Sequence, residues 1–210
     1  MLSRRIPIGN NELEINQNLS YGYAGEVWDA ALVFSYFLIN KKSQTIINPT
    51  NKTVIELGAG TGIIGLITGA LGAKKLILTD KGGCTKLLLE NYELNKKIMS
   101  KDIQCEVKEL DWLKEDYKGI KDEIDYIVGS DLVWKDELIK PLSEVVKFFL
   151  NSKKESSAIF SFQIRDKRIM TFFSYFSKDE YKIEKLPNDL YDEEYRADDI
   201  IIVRILKLVH

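Results

Sequence analysis

A chain of 210 residues, 45% hydrophobic and 30% charged, is long enough to bury a core without disulfide staples and suits one sizeable domain. Its net charge of −2 and pI near 5.7 provide no global attraction to nucleic acid or to an anionic membrane, although local basic patches stay open. Two isolated cysteines, Cys84 and Cys105, are too few for a zinc site or a disulfide framework, and the single histidine, His210, excludes histidine-dependent triads and multi-histidine metal centres.

The opening stretch MLSRRIPIGNNELEI lacks the apolar run of a signal peptide, and no segment reaches membrane-spanning length; a cytosolic or nuclear location is the expectation. Residues 5–15 alternate apolar and polar side chains around Gly9-Asn10-Asn11, which predicts a hairpin. Residues 29–39, dense in Ala, Leu, Phe and Tyr, predict a mostly buried helix. Strand-like and helix-like segments then alternate. Strands are expected over 52–57, 75–79, 103–110, 124–130 and 157–164, and helices over 61–71, 83–97, 136–150 and 166–176. After that the rhythm changes: 181–186 and 200–208 read as strands joined by the acidic loop PNDLYDEEYRADD, with no helix between them. The alternation implies a Rossmann-like α/β fold: one seven-stranded, mostly parallel sheet with helices on both faces and an antiparallel hairpin at its carboxyl end. Residues 1–210 read as a single domain, the first fifty or so forming a hairpin-and-helix extension.

The chemistry centres on VIELGAGTGIIG, residues 54–65, whose Gly60-x-Gly62-x-x-Gly65 matches the glycine pattern of a nucleotide-binding turn between a strand and a helix. That pattern alone does not choose the ligand. Glu56, just before the glycines, would repel a dinucleotide pyrophosphate and welcome a ligand bearing an ammonium group, as S-adenosylmethionine does. Asp80 ends the next strand in LILTD, about twenty residues past the turn, where an acid hydrogen-bonds ribose hydroxyls. It supports a nucleoside of either kind and could equally cap a helix. The chain also lacks a recognisable dehydrogenase substrate domain or catalytic acid. S-adenosylmethionine is the favoured cofactor.

GEVWDAALVFSYFL, ELGAGTGIIG, LILTD, LDW, SDLVW and DEEYRADDI occur here in the order found in seven-β-strand protein-lysine methyltransferases. From about residue 21 to 208 the chain resembles the methyltransferase-like 21 family, and DEEYRADDI is similar to its valosin-containing-protein-directed branch. The resemblance implies a class I methyltransferase fold and transfer of methyl groups to a lysine of a non-histone protein: an AAA-type ATPase, a chaperone or an elongation factor. It implies that Trp28 packs near the cofactor and that Gly58, Ala59 and Gly60 line its methionine part. Asp80 would then hold the ribose, Trp112 flank the adenine and Ser130 contact the cofactor through its backbone. Asp131 and Trp134 would match an Asp-x-x-Tyr motif beside the target lysine. Trp134 departs from that motif, keeping the aromatic wall and losing the phenol. Taken alone, Trp28 and Trp112 also read as core residues, and Asp131 as a cap for the helix starting near residue 136. Gln163 and Arg165 could face the same rim, Arg165 otherwise forming a surface ion pair. The acidic loop could be a substrate contact or a structural clamp.

The expected partner is the substrate protein, with neither nucleic acid nor membrane, and the chain is expected to act as a monomer. Other readings on the same fold are a nucleic-acid methyltransferase, disfavoured because SDLVW lacks prolines, a small-molecule methyltransferase, and a non-catalytic cofactor-binding module.

Overall fold

The structure, a computed structural model, describes residues 2–208; His210 lies outside them. Strands β1 (Leu2–Ile8) and β2 (Asn11–Gln17) form the amino-terminal hairpin, Ile8 facing Asn11 across a two-residue turn. Gly9 opens that turn at φ +60°, as the first position of a II′-type hairpin turn demands.

The main sheet contains β3 (Thr53–Glu56), β4 (Lys75–Asp80), β5 (Gln104–Glu109), β6 (Tyr126–Ser130), β7 (Ser157–Gln163), β8 (Tyr181–Lys185) and β9 (Ile200–Lys207). Its order is β5-β4-β3-β6-β7-β9-β8, parallel from β5 to β7, with β9 antiparallel to both β7 and β8. The closing hairpin therefore forms as expected, with one addition: β9 inserts between β7 and β8 and is internal. Its sequence IIIVRILK is buried along most of both faces, whereas YKIEK of β8 exposes Lys182 and Lys185, as suits an edge strand.

Among the described residues five α-helices cover the sheet: α1 (Asp29–Ile39), α2 (Ile63–Ala70), α3 (Thr85–Asn95), α4 (Asp136–Leu150) and α5 (Arg168–Ser174). Alternate strand residues feed two cores. Val54, Leu76, Leu78, Val128 and Ile159 join the one beneath α1, α2 and the hairpin, while Ile55, Ile77, Ile127 and Phe160 join the one with α4 and α5. Three helices start later than their apolar patterns suggest, each for a local reason. Gly62 at φ +81° and Gly83 at φ +94° hold back α2 and α3, and the Asp166 carboxylate accepts the Arg168 N–H at 2.8 Å in a turn that delays α5. Short 3-10 segments are interspersed, and Leu19–Gly25 and Trp112–Lys114 are the two that shape the site.

The hairpin is tied to α3 by side chains acting as a third strand. Asn95 Oδ1 accepts the Glu14 N–H (2.9 Å) and its Nδ2 donates to the Glu14 carbonyl (2.7 Å); Asn91 does the same for Asn16 (2.9 and 3.0 Å). Asn91 Nδ2 also donates to the Thr61 carbonyl at 2.8 Å, linking the hairpin to the glycine turn.

The acidic loop is fastened to the body. Tyr195 stacks on Tyr36 of α1 with centroids 3.4 Å apart, and the buried Tyr191 hydroxyl accepts the Ile202 N–H at 2.6 Å, beyond the point where β8 ends. Tyr191→Phe strands that buried N–H, and urea unfolding is expected to show a loss of about 1–3 kcal/mol.

Candidate active site

The chain leaves β3 for β4 on one side and returns to β6 on the other, so a crevice opens over the carboxyl ends of these strands, where α/β sheets take ligands. A cavity of about 500 Å³ fills it. Trp28, Glu56, Gly58, Ala59, Gly60, Asp80, Trp112, Ser130, Asp131 and Trp134, all singled out from the sequence, lie on its wall, as do Gln163 and Arg165. No residue of the acidic loop, 191–199, lines it.

At the inner end, Glu56 closes β3 and is 2% exposed. Its Oε2 accepts the Gly65 N–H at 2.8 Å, one of the donors that the first turn of α2 leaves without a helical partner. Burial pushes its carboxyl from 4.5 up to about 8, the Asp80 charge adding to the rise and the Gly65 bond opposing it. Near neutral pH the free protein therefore keeps a proton on Glu56.

Gly58 and Gly60 both sit in the left-handed region, at φ +57° and +54°. A Cβ on Gly58 would stand 2.7 Å from Leu132 Cδ2 and 3.4 Å from Trp112 Cζ2, and one on Gly60 would stand 2.9 Å from the Ala24 carbonyl oxygen. The segment Leu19–Gly25 thus passes directly over the turn as a roof. Asp80 is held beneath it, Oδ2 accepting the Gly60 N–H and Oδ1 the Lys81 N–H, both at 2.7 Å, and burial raises its pKa. The N-cap position of α3 belongs to Cys84, which makes no side-chain cap bond, so the helix-cap alternative for Asp80 is set aside. Burial and the Asp80 charge push the Cys84 thiol up to about 11, leaving it protonated and inert.

At the outer end, Asp131 follows β6 with φ +55°, its N–H donating to the Ser161 carbonyl at 2.8 Å. Its Oδ1 accepts the Gln163 N–H at 3.3 Å and its Oδ2 accepts Arg165 Nη1 at 2.6 Å. The cap of α4 is Lys135, four residues after Asp131, which corrects the capping alternative for Asp131: its carboxylate turns instead to β7 and Arg165. Arg165 is half-exposed; it forms its ion pair with this Asp131 and also donates to Gln163.

Trp134 is 42% exposed at the mouth, its ring centroid 5.3 Å from that of Tyr23, which lies 5.9 Å from Trp28. Trp28 Nε1 donates to the Tyr23 carbonyl at 2.9 Å, and Lys135 Nζ stands 4.5 Å over the Trp134 ring, where a cation is attracted to the aromatic face. Sequence reasoning missed Tyr23, Glu26 and Asp111, which also line the cavity. A signal for the first two was present in GYAGEVW. Gly25 passes so close to Asn18 that a Cβ would fall 1.9 Å from its carbonyl oxygen, and glycines so placed mark a chain forced against its neighbour.

The cavity sits at the switch point of an open α/β sheet, with an acid–glycine corner inside and a carboxylate–aromatic pair outside. A profile of the lysine methyltransferase family matches residues 8–179. Protein N-lysine methyltransferase METTL21A of Xenopus tropicalis is 32% identical over 164 residues, covering 76% of this chain and 70% of that protein. Protein-lysine methyltransferase METTL21E of Mus musculus is 34% identical over 140 residues, covering 65% and 54%. The chain spans about half the length of the first curated relatives it matches. Among solved structures, the O-methyltransferase of Bacillus cereus in complex with SAH shares the fold with a TM-score of 0.58 at 14% identity, covering 82% of this chain and 80% of that one. The chain belongs to the lysine methyltransferase family, in its methyltransferase-like 21 group.

Proposed function

We propose that this chain is an S-adenosylmethionine-dependent protein-lysine N-methyltransferase whose substrate is a non-histone protein of the AAA-type ATPase, chaperone or elongation-factor class. The observation that carries the reading is the shared cavity: the Glu56–Gly58–Gly60 corner and the Asp131–Trp134 pair line one space of about 500 Å³. The residues suit the cofactor. Side chains at positions 58 and 60 would fill the cradle, and a buried acid faces the place of the ammonium. Asp80 offers carboxylate oxygens to ribose hydroxyls, and the Trp112 ring offers a face for the adenine. The Ser130 backbone completes the wall beside it.

When bound, S-adenosylmethionine would supply an electrophilic methyl group on a positively charged sulfur for a lysine nitrogen to accept, the neutral thioether being the leaving group. The chain's task is alignment, which supplies several kcal/mol of the barrier reduction. Trp134, Tyr23 and Trp28 wall the lysine stem, and Asp131 accepts a hydrogen bond from the amine. A lysine has an unperturbed pKa of about 10.4 and must lose a proton before it can attack. Desolvation between these rings favours that loss, with water at the open mouth as acceptor. No strong general base is required. The kinship with METTL21A and METTL21E, both named as protein-lysine methyltransferases, supports the reading. So does the mouth, where Tyr23 and Trp134 stand exposed to a macromolecular surface. The chain acts on protein alone, as a monomer in the cytoplasm or nucleus; no helix among the described residues is long and apolar enough to cross a membrane.

Incubation of the protein with methyl-labelled S-adenosylmethionine and a cell lysate is expected to label a discrete protein band, with methyl-lysine recovered on hydrolysis. Label confined to RNA or small metabolites overturns the assignment.

A further inference from the structure

We infer that Arg165 is a positioning residue for this transfer: by pairing with Asp131 it leaves a carboxylate that accepts a hydrogen bond from the lysine amine without holding it as an ammonium. The inference rests on the methyltransferase reading above and goes beyond it, to the protonation state of the substrate.

The geometry is specific. Arg165 Nη1 donates to Asp131 Oδ2 at 2.6 Å, and Arg165 Nη2 donates to Gln163 Oε1 at 2.5 Å. Gln163 in turn donates its backbone N–H to Asp131 Oδ1 (3.3 Å) and its Nε2 to Asp199 Oδ2 (2.7 Å). The guanidinium and carboxylate are thus held from the end of β7 and, through Gln163, from the residue preceding β9. Asp131 itself keeps a left-handed backbone, and its side chain is 14% exposed, so its orientation is imposed.

The other charged groups around Asp131 have partners of their own or lie elsewhere on the wall. Lys135 and Glu137, from α4, are 3.9 Å apart, and Asp166 and Arg168, leading into α5, pair with each other. Lys81 and Asp80 line the wall at the end of β4, Glu56 at the end of β3, Glu26 on the roof, and Asp111 beside Trp112. Among the described residues Arg165 is the cation that donates a hydrogen bond to the Asp131 carboxylate.

This matters because a carboxylate cuts both ways. Unpaired and within about 4–6 Å of an amine, it favours the ammonium form and raises its pKa by about one unit or more, which opposes attack. Paired with a guanidinium, the carboxylate keeps lone pairs for the amine hydrogens while its charge is cancelled. A fixed cation also disfavours entry of a second one, so the neutral amine is the form best accepted.

The test compares Arg165→Gln and Arg165→Lys with the wild type, using as substrate the protein that takes the label above. For Arg165→Gln the rising limb of kcat against pH moves up by about one unit, and kcat at pH 7 falls roughly tenfold, with KM unchanged or lower. Arg165→Lys, which keeps the charge, restores the limb. A second readout needs no turnover. All three tryptophans line the cavity, so their emission reports its occupancy. Titrated with n-butylamine at pH 7, Arg165→Gln binds the ammonium about tenfold tighter than the wild type. An unmoved limb, a rise in KM with kcat unchanged, or equal n-butylamine affinity overturns the inference and leaves Arg165 a structural ion pair. Absence of lysine methylation by the wild type at every pH overturns the methyltransferase reading itself.

Discussion

Asp131→Ala is expected to lower lysine methylation by about a hundredfold or more while leaving S-adenosylmethionine affinity within roughly twofold. The carboxylate lies at the outer end of the cavity, away from the glycine corner, so its removal takes orientation from the incoming amine and nothing from the cofactor cradle. Misplacement of a reacting atom by about 1 Å is enough to cost a hundredfold. Alanine at φ +55° adds backbone strain, so Asp131→Asn is the companion variant, since asparagine tolerates that region and still accepts a bond from Arg165. Single-turnover rates with the labelled substrate, beside calorimetric cofactor titrations, separate the two quantities. Cofactor affinity lost in parallel with turnover in the asparagine variant would assign Asp131 to the cradle instead.

The second large effect belongs to Glu56. Glu56→Gln keeps an oxygen for the Gly65 N–H but cannot carry charge, and a charge-assisted hydrogen bond to an ammonium is worth about 1.5–3 kcal/mol. Cofactor affinity above pH 8 is therefore expected to fall roughly ten- to a hundredfold. The pH dependence is the sharper signature. With the carboxyl lifted to about 8 in the free protein, binding an ammonium below that pH must expel the proton, so wild-type affinity climbs from pH 6 to 8 and then levels off. Glu56→Gln flattens the climb. Stability of the free protein runs in the opposite sense. Between the ordinary carboxyl value of 4.5 and about 8 the folded state holds a proton that the unfolded chain has released, so this group's contribution declines as pH rises through that window. Calorimetry in buffers of different ionisation enthalpy, which counts released protons, checks the first claim, and denaturant melts across pH check the second.

Elements with a strong period were legible before any coordinates. Helix α4 begins and ends where its apolar stripe and first-turn acids say, and β3, β4 and the glycine turn follow directly from VIELGAGTGIIG and LILTD. What stayed hidden is contact between distant segments. The roof Leu19–Gly25 has no helical or strand period, because Gly22 interrupts it with φ +61° and ψ −137°, so the close-packed Gly25 is the one local mark that Tyr23 and Glu26 carry. Arg165 carries no local mark of its pairing, since Asp131 lies 34 residues earlier and the two meet only because β6 and β7 are parallel neighbours. The insertion of β9 is read from its two apolar faces only once the competing edge strand is known. The acidic loop misleads through its charge: Tyr191 and Tyr195, not the carboxylates between them, fasten it.

The paired asparagines of α3 carry a consequence for where this molecule can be cut. A chain begun at residue 18 would lose β1 and β2 together, opening the apolar face beneath them to water and leaving the Asn91 and Asn95 amides without their Asn16 and Glu14 partners. The first strands are therefore less an ornament than a missing edge that the helix has been shaped to receive. Trimming them would loosen the turn whose carbonyl Asn91 holds, and with it the floor on which the ligand rests.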